Sequence, residues 1–131
     1  MLNILVVEDE PFLKTIMFTM LSEVGICTWK QDGRSAVEEF KSALYSANPY
    51  DLITLDIMMP EMDGKEALKK IREIEENYGI TEGAYTKIIM TSAIQDEATI
   101  FDSYYQGCEQ YLIKPILKTD LLQKIKDLEL I

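Results

Sequence analysis

Along this chain the apolar spacing alternates, through five successive strand-helix units, between the continuous runs of buried strands and the stripe of amphipathic helices. Few architectures survive that alternation. Repeated strand-helix units demand a parallel sheet with right-handed crossovers, and helices on both faces then give a doubly wound α/β sandwich. A chain of 131 residues has the length for one such domain around a single core, with no linker, repeat or low-complexity tail left over. Residues 1–131 are read as one domain, with no output domain in this chain.

The elements follow from local signals. Asn3 to Val7 reads as a buried strand, and Pro11 opens a helix whose core face is Leu13, Ile16, Met17, Met20, Leu21 and Val24, closed by Gly25. Ile26 to Lys30 is the second strand. Asp32 caps a helix from Gly33 to Ala47, with Ser35 and Glu38 at capping-box spacing and Val37, Phe40 and Leu44 inward. Leu52 to Leu55, between Asp51 and Asp56, has the continuous apolar character of a central strand. A helix from Gly64 turns Ala67, Leu68, Ile71 and Ile74 inward, and Glu75 to Tyr85, with two glycines, is the helix end and a long loop. Lys87 to Met90 is strand four. Asp96 to Gln106 is helix four, with Ala98, Phe101 and Tyr105 as its inward stripe and Ile100 and Tyr104 off it. Gln110 to Ile113 is strand five, and Thr119 caps a last helix burying Leu121, Leu122, Ile125 and Leu128.

Composition removes several functions. With 13 basic and 23 acidic residues the net charge is −10, which repels phosphate backbones and argues against direct nucleic-acid binding. No apolar run reaches the ~20 residues that span a bilayer, so no membrane role is expected and the chain is read as cytoplasmic. Cys27 and Cys108 lack metal-knuckle spacing and read as buried small hydrophobes. There is no histidine, which excludes Ser-His and Cys-His triads, imidazole zinc sites and a phosphohistidine carrier.

In an open parallel sheet, ligands bind beyond the carboxyl ends of the strands. There strand one ends in Glu8, Asp9 and Glu10, strand three in Asp56, strand four in Thr91 and Ser92, and strand five in Lys114 and Pro115. A nucleotide-binding turn would need glycines after strand one, and here that turn is acidic. Carboxylates brought to about 5 Å repel by roughly 3 kcal/mol per pair at an effective dielectric of 20, so the pocket requires a cation. An all-oxygen donor set suits Mg²⁺, and three carboxylates, one Mg²⁺ and the Lys114 ammonium sum to zero charge. Asp56, on the central strand, is the natural nucleophile for an aspartyl-phosphate. Each residue alone has a plainer reading as helix cap, turn residue or solvated lysine; their coincidence at one sheet edge is what points to chemistry.

These residues resemble the receiver domain of two-component response regulators over essentially the whole chain. The resemblance rests on Glu8-Asp9 after the first strand, the block from Asp56 through Met58, Met59 and Pro60 to Gly64, the Thr91-Ser92-Ala93 turn and Lys114-Pro115. It implies a single flavodoxin-like (βα)5 sandwich with strand order 2-1-3-4-5. It also implies that Asp56 accepts a phosphoryl group from a partner histidine kinase, a histidine phosphotransfer protein or a small donor such as acetyl phosphate. Mg²⁺ would be held by Asp9, Asp56 and the Met58 backbone carbonyl, with Glu8 acting through water. Lys114, helped by a bend at a cis Lys114-Pro115 peptide, would contact the phosphoryl group, and Thr91 and Tyr111 would act as the switch that remodels the helix 4, strand 5, helix 5 face for a downstream target protein. Whether phosphorylation drives dimerisation stays open. The expected chemistry is confined to the chain's own phosphorylation and dephosphorylation, the latter modest because Met58 offers no hydrogen bond to a hydrolytic water.

Two other functions fit less well. A Mg-dependent phosphatase with an aspartyl-phosphate intermediate commonly needs a second acid two residues after the nucleophile, where Met58 stands. A non-phosphorylated pseudo-receiver scaffold would need a defective pocket, and no pocket residue is missing.

Overall fold

The computed structural model describes residues 1–131. Five parallel strands, β1 (Leu2–Val7), β2 (Gly25–Lys30), β3 (Leu52–Asp56), β4 (Lys87–Ser92) and β5 (Gln110–Ile113), lie in the order β2-β1-β3-β4-β5. The five helices are α1 (Pro11–Leu21), α2 (Gly33–Tyr45), α3 (Gly64–Asn77), α4 (Glu97–Tyr105) and α5 (Lys118–Asp127). The doubly wound sandwich is the one the sequence pattern implies, and its strand order is the one the receiver-domain resemblance implies.

The strand pleat divides the core in two. Leu5 and Val7 point to one face and pack with Ala36, Phe40 and Leu44 of α2 and with Ala67, Leu68 and Ile71 of α3. Ile4 and Val6 point to the other, against Met17, Met20 and Leu21 of α1 and Leu121 and Ile125 of α5. A large side chain fully buried in either layer stabilises the fold by roughly 1.5–3 kcal/mol. No helix is long and apolar enough to cross a membrane.

Three helices start on an aspartate that accepts a backbone N–H: Asp32 from Ser35 at 2.8 Å, Asp63 from Glu66 at 2.9 Å and Asp96 from Thr99 at 2.9 Å. Each such cap is worth about 1 kcal/mol. Ser35 and Glu38 do not form a capping box, since Asp32 holds the cap and the Ser35 hydroxyl donates back to the Asp32 carbonyl. Nor does Thr119 cap α5, which begins at Lys118 after Leu117 with no side-chain cap.

Two further expectations are corrected. Gly25 does not close α1, which ends at Leu21; it is the first residue of β2, paired with Leu2, where a Cβ would run into the Ile4 side chain. Helix α4 lies rotated from the expected face. Phe101 and Tyr105 are 73% and 79% exposed and Ala98 is also outside, while Ile100 packs on the core and Ser103 is wholly buried. Both sides of this short helix carry apolar residues, so its period alone does not say which side faces the sheet. The Asp102–Lys65 ion pair to α3, at 3.0 Å, accompanies the observed face.

Helix α3 runs through Glu75 to Asn77, and a 3-10 turn at Glu82–Ala84 follows in place of a featureless loop. Glu75, which carried no expectation of burial, is fully buried and paired with Arg72 at 2.6 Å. Cys108 is buried and Cys27 half-buried, both as free thiols.

Candidate phosphoacceptor and metal site

Parallel strands that stop in register bring their next residues to one edge. The β1 ladder to β2 ends at Val7 and Lys30, and Asp56 pairs with Thr91 across β3 and β4. Glu8, Asp9 and Asp56 therefore converge, with one carboxylate oxygen from each lying within 4.8 Å of the others. Glu8 and Asp56 are 3% and 4% exposed, so the negative charge is concentrated out of water. Oxygen-only donors at this spacing fit a hard divalent cation such as Mg²⁺.

Lys114 reaches into this cluster from the end of β5. Its Nζ donates to Glu8 Oε1 at 2.9 Å and lies 3.4 Å from Asp56 Oδ1. The Lys114–Pro115 peptide is cis. Burial pushes the Asp56 carboxyl up, Lys114 pulls it down and Glu8 pushes it up again, leaving its pKa at about 7. For Lys114, burial works against the charge, but Glu8 and Asp56 outweigh it, and its pKa rises.

Thr91 is buried beside Asp56, and its carbonyl accepts the Ile57 N–H at 3.2 Å. Met58 is 64% exposed and shares a cleft with Asp9, whereas Met59 is buried. Tyr111 stands apart from the acids. It is turned inward, 8% exposed, and its hydroxyl donates to the Ile94 carbonyl at 2.9 Å in the loop before α4.

Two contributors were not singled out by sequence reasoning. The N–H of Gly64 donates to the Ile57 carbonyl at 2.8 Å, and a Cβ at Gly64 would collide with the Asp56 carbonyl, so α3 begins directly against the end of β3. Its place in the Asp56–Gly64 block was the available signal. The second is Trp29, whose indole Nε1 donates to the Glu8 carbonyl at 2.7 Å. Nothing in its spacing marked it.

A doubly wound sheet whose carboxyl edge joins three acids to a half-buried lysine has the build of a phosphoryl-accepting signalling module. Residues 4–126 match the family model described as the response regulator receiver domain, and the chain belongs to that family. The chemotaxis protein CheY of Bacillus subtilis is 32% identical over 94% of this chain and 93% of its own length. "Probable histidine kinase 2" of Oryza sativa subsp. indica is 34% identical over 95% of this chain, which spans only 12% of that protein. Among solved structures, the CheX-CheY-BeF3-Mg²⁺ complex from Borrelia burgdorferi matches with TM-score 0.82 and 29% identity, covering 98% of this chain and 89% of that one.

Proposed function

We propose that this chain is a phosphorylation-switched receiver in which Asp56 takes a phosphoryl group from a phosphohistidine on a partner histidine kinase or phosphotransfer protein. The observation that carries this reading is the Asp56 carboxylate buried between Lys114, at 3.4 Å, and the acids Glu8 and Asp9. In it, Asp9, Asp56 and the Met58 carbonyl would hold Mg²⁺, with Glu8 acting through water. When bound, the ion would offset the charge of the acids and supply a Lewis acid to a phosphoryl oxygen. Lys114 and the Thr91 hydroxyl meet the other oxygens.

Output follows from Thr91 and Tyr111, through which the face made by α4, β5 and α5 is remodelled for a target protein. The solved complex of a CheY with CheX, beryllofluoride and Mg²⁺ supports a protein partner and a divalent metal at the site. This reading puts the chain in the cytoplasm beside its kinase, as a switch that turns over no external substrate. The exposed Met58 thioether, standing where a phosphatase would carry its second acid, agrees with that.

Incubation with acetyl phosphate and Mg²⁺ is expected to add one phosphoryl group to the intact mass. The gain is lost in EDTA and in Asp56→Asn. A gain that persists in Asp56→Asn overturns the reading. Met58→Asn, which gives the attacking water a hydrogen-bond partner, shortens the lifetime of the phosphorylated form severalfold. Size measurement with and without beryllofluoride tells whether two phosphorylated copies pair.

A further inference from the structure

Glu8 lies one residue beyond the β1 ladder, where the strand no longer fixes the backbone, yet every polar group of Glu8 is held. Its N–H donates to the Lys30 carbonyl at 3.2 Å, its carboxylate accepts from Lys114 at 2.9 Å and from the Glu10 N–H at 3.3 Å, and its carbonyl accepts from the Trp29 indole at 2.7 Å. The last contact has the widest consequence. The Glu8 carbonyl belongs to the peptide unit that joins Glu8 to Asp9, and that unit is planar. Pinning its oxygen therefore sets ψ of Glu8 and φ of Asp9 together, and so the direction in which both carboxylates leave the chain.

The donor is itself held. Trp29 sits in β2 opposite Val6, and the Lys14 ammonium of α1 lies 4.7 Å from the indole centroid and 5.2 Å from that of Phe18. A cation over an aromatic face contributes about 0.5–1 kcal/mol where solvent reaches it, enough to favour one ring orientation. Strand β2, which supplies no ligand of its own to the acidic pocket, thus reaches the pocket through one side chain.

We propose that Trp29 is a positioning residue of the acidic site: its indole N–H fixes the Glu8–Asp9 peptide plane and with it the two carboxylates that close on a divalent cation beside Asp56. The proposal rests on the reading that these acids hold Mg²⁺. That ion accepts only near-octahedral oxygen geometry, so a small rotation of this peptide is felt in affinity.

The test is a titration of the ¹⁵N-labelled protein with MgCl2, following the Asp9 and Asp56 amides and the indole N–H of Trp29, the sole tryptophan. In the unsubstituted chain the indole resonance is expected to shift with the same midpoint as the amides. Trp29→Phe keeps an aromatic ring beneath Lys14 while removing the donor together with part of the ring system. Its Kd for Mg²⁺ is expected to rise about fivefold, the worth of one ordinary hydrogen bond, and the rise in melting temperature caused by a fixed Mg²⁺ concentration shrinks accordingly. A merely structural Trp29 would lower the melting temperature equally with and without Mg²⁺ and leave Kd unchanged, which overturns the proposal. Should Trp29→Phe fail to fold, an indole resonance that stays still while the Asp9 amide titrates overturns it. An unsubstituted chain indifferent to Mg²⁺ instead overturns the metal reading on which the proposal stands.

Discussion

Lys114 is bound more closely to Glu8 than to Asp56: its ammonium lies 2.9 Å from Glu8 Oε1 and 3.4 Å from Asp56 Oδ1. The lysine thus stands in for part of the positive charge that the crowded acids require, while leaving the Asp56 oxygen less tightly engaged. It also competes with a divalent ion for the same negative field. Opposing charges at this range interact by a few kcal/mol at an effective dielectric of 20.

That competition fixes the sign of the first prediction. Lys114→Met removes the competing cation, so Mg²⁺ is expected to bind several times more tightly. Beryllofluoride, which under the proposed function is met by the ammonium, is expected to bind at least tenfold more weakly. Titrations followed by NMR for the metal and by ¹⁹F signals for the anion measure both; a parallel loss of the two shows that the substitution only disordered the site.

Asp56 makes metal-free stability depend on pH. Its carboxyl is raised from 3.8 to about 7, first by burial, so between those values the folded chain binds more protons than the unfolded one. The contribution of this group is fully present below the unfolded value and is lost as pH rises through about 7. In EDTA at pH 8, Asp56→Asn is therefore expected to be more stable than the unsubstituted chain by at least ~1 kcal/mol, the worth of one pKa unit. The gain shrinks towards pH 4. Urea unfolding at the two pH values measures it, and an equal gain at both removes the role assigned to the buried charge.

The sheet and its edge were legible because they follow from chemistry that sequence displays directly. A strand buried on both faces must be a continuous apolar run, as in Leu52 to Leu55, and residues after parallel strands must meet at one edge, as Glu8, Asp56 and Lys114 do. The face of α4 was not legible, because Ile100 and Phe101 are adjacent and equally apolar, yet one packs on the core and the other is exposed. Trp29 escaped for another reason: its contact runs from a side chain to the backbone 21 positions away, and backbone acceptors leave no trace in residue type. The burial of Glu75 had a faint signal in its i,i+3 spacing from Arg72, but the Glu109 partner comes from a distant loop.

The rotation of α4 has a direct consequence for mutation. Phe101→Ser and Tyr105→Ser remove exposed rings and are expected to change unfolding free energy by less than about 0.5 kcal/mol. Ile100→Ala, which deletes part of the core contact, is expected to cost about 1–2 kcal/mol, below the range for a fully buried isoleucine because Ile100 is half-buried. Chemical denaturation ranks the three. The reverse ranking would restore the face expected from periodicity.

At the end of the sheet opposite the acids, Arg72 holds three segments together. Its guanidinium donates to Glu75 at 2.6 Å, to Glu109 at 2.7 Å, and to the carbonyls of Thr86 and Gly107 at 2.8 Å each. Glu75 is wholly buried and also accepts the Thr86 N–H at 2.7 Å. Arg72→Met leaves that carboxylate buried without its counter-ion and is expected to cost about 3–5 kcal/mol. Arg72→Lys restores the charge but not the planar fork that reaches four acceptors, so it recovers only part of the loss. Adding Glu75→Gln to Arg72→Met removes the unpaired charge and is expected to regain at least ~1 kcal/mol, a non-additivity that a double-mutant cycle in urea reads directly. Strictly additive losses would mean that Arg72 acts through Glu109 and its carbonyl contacts and not through Glu75.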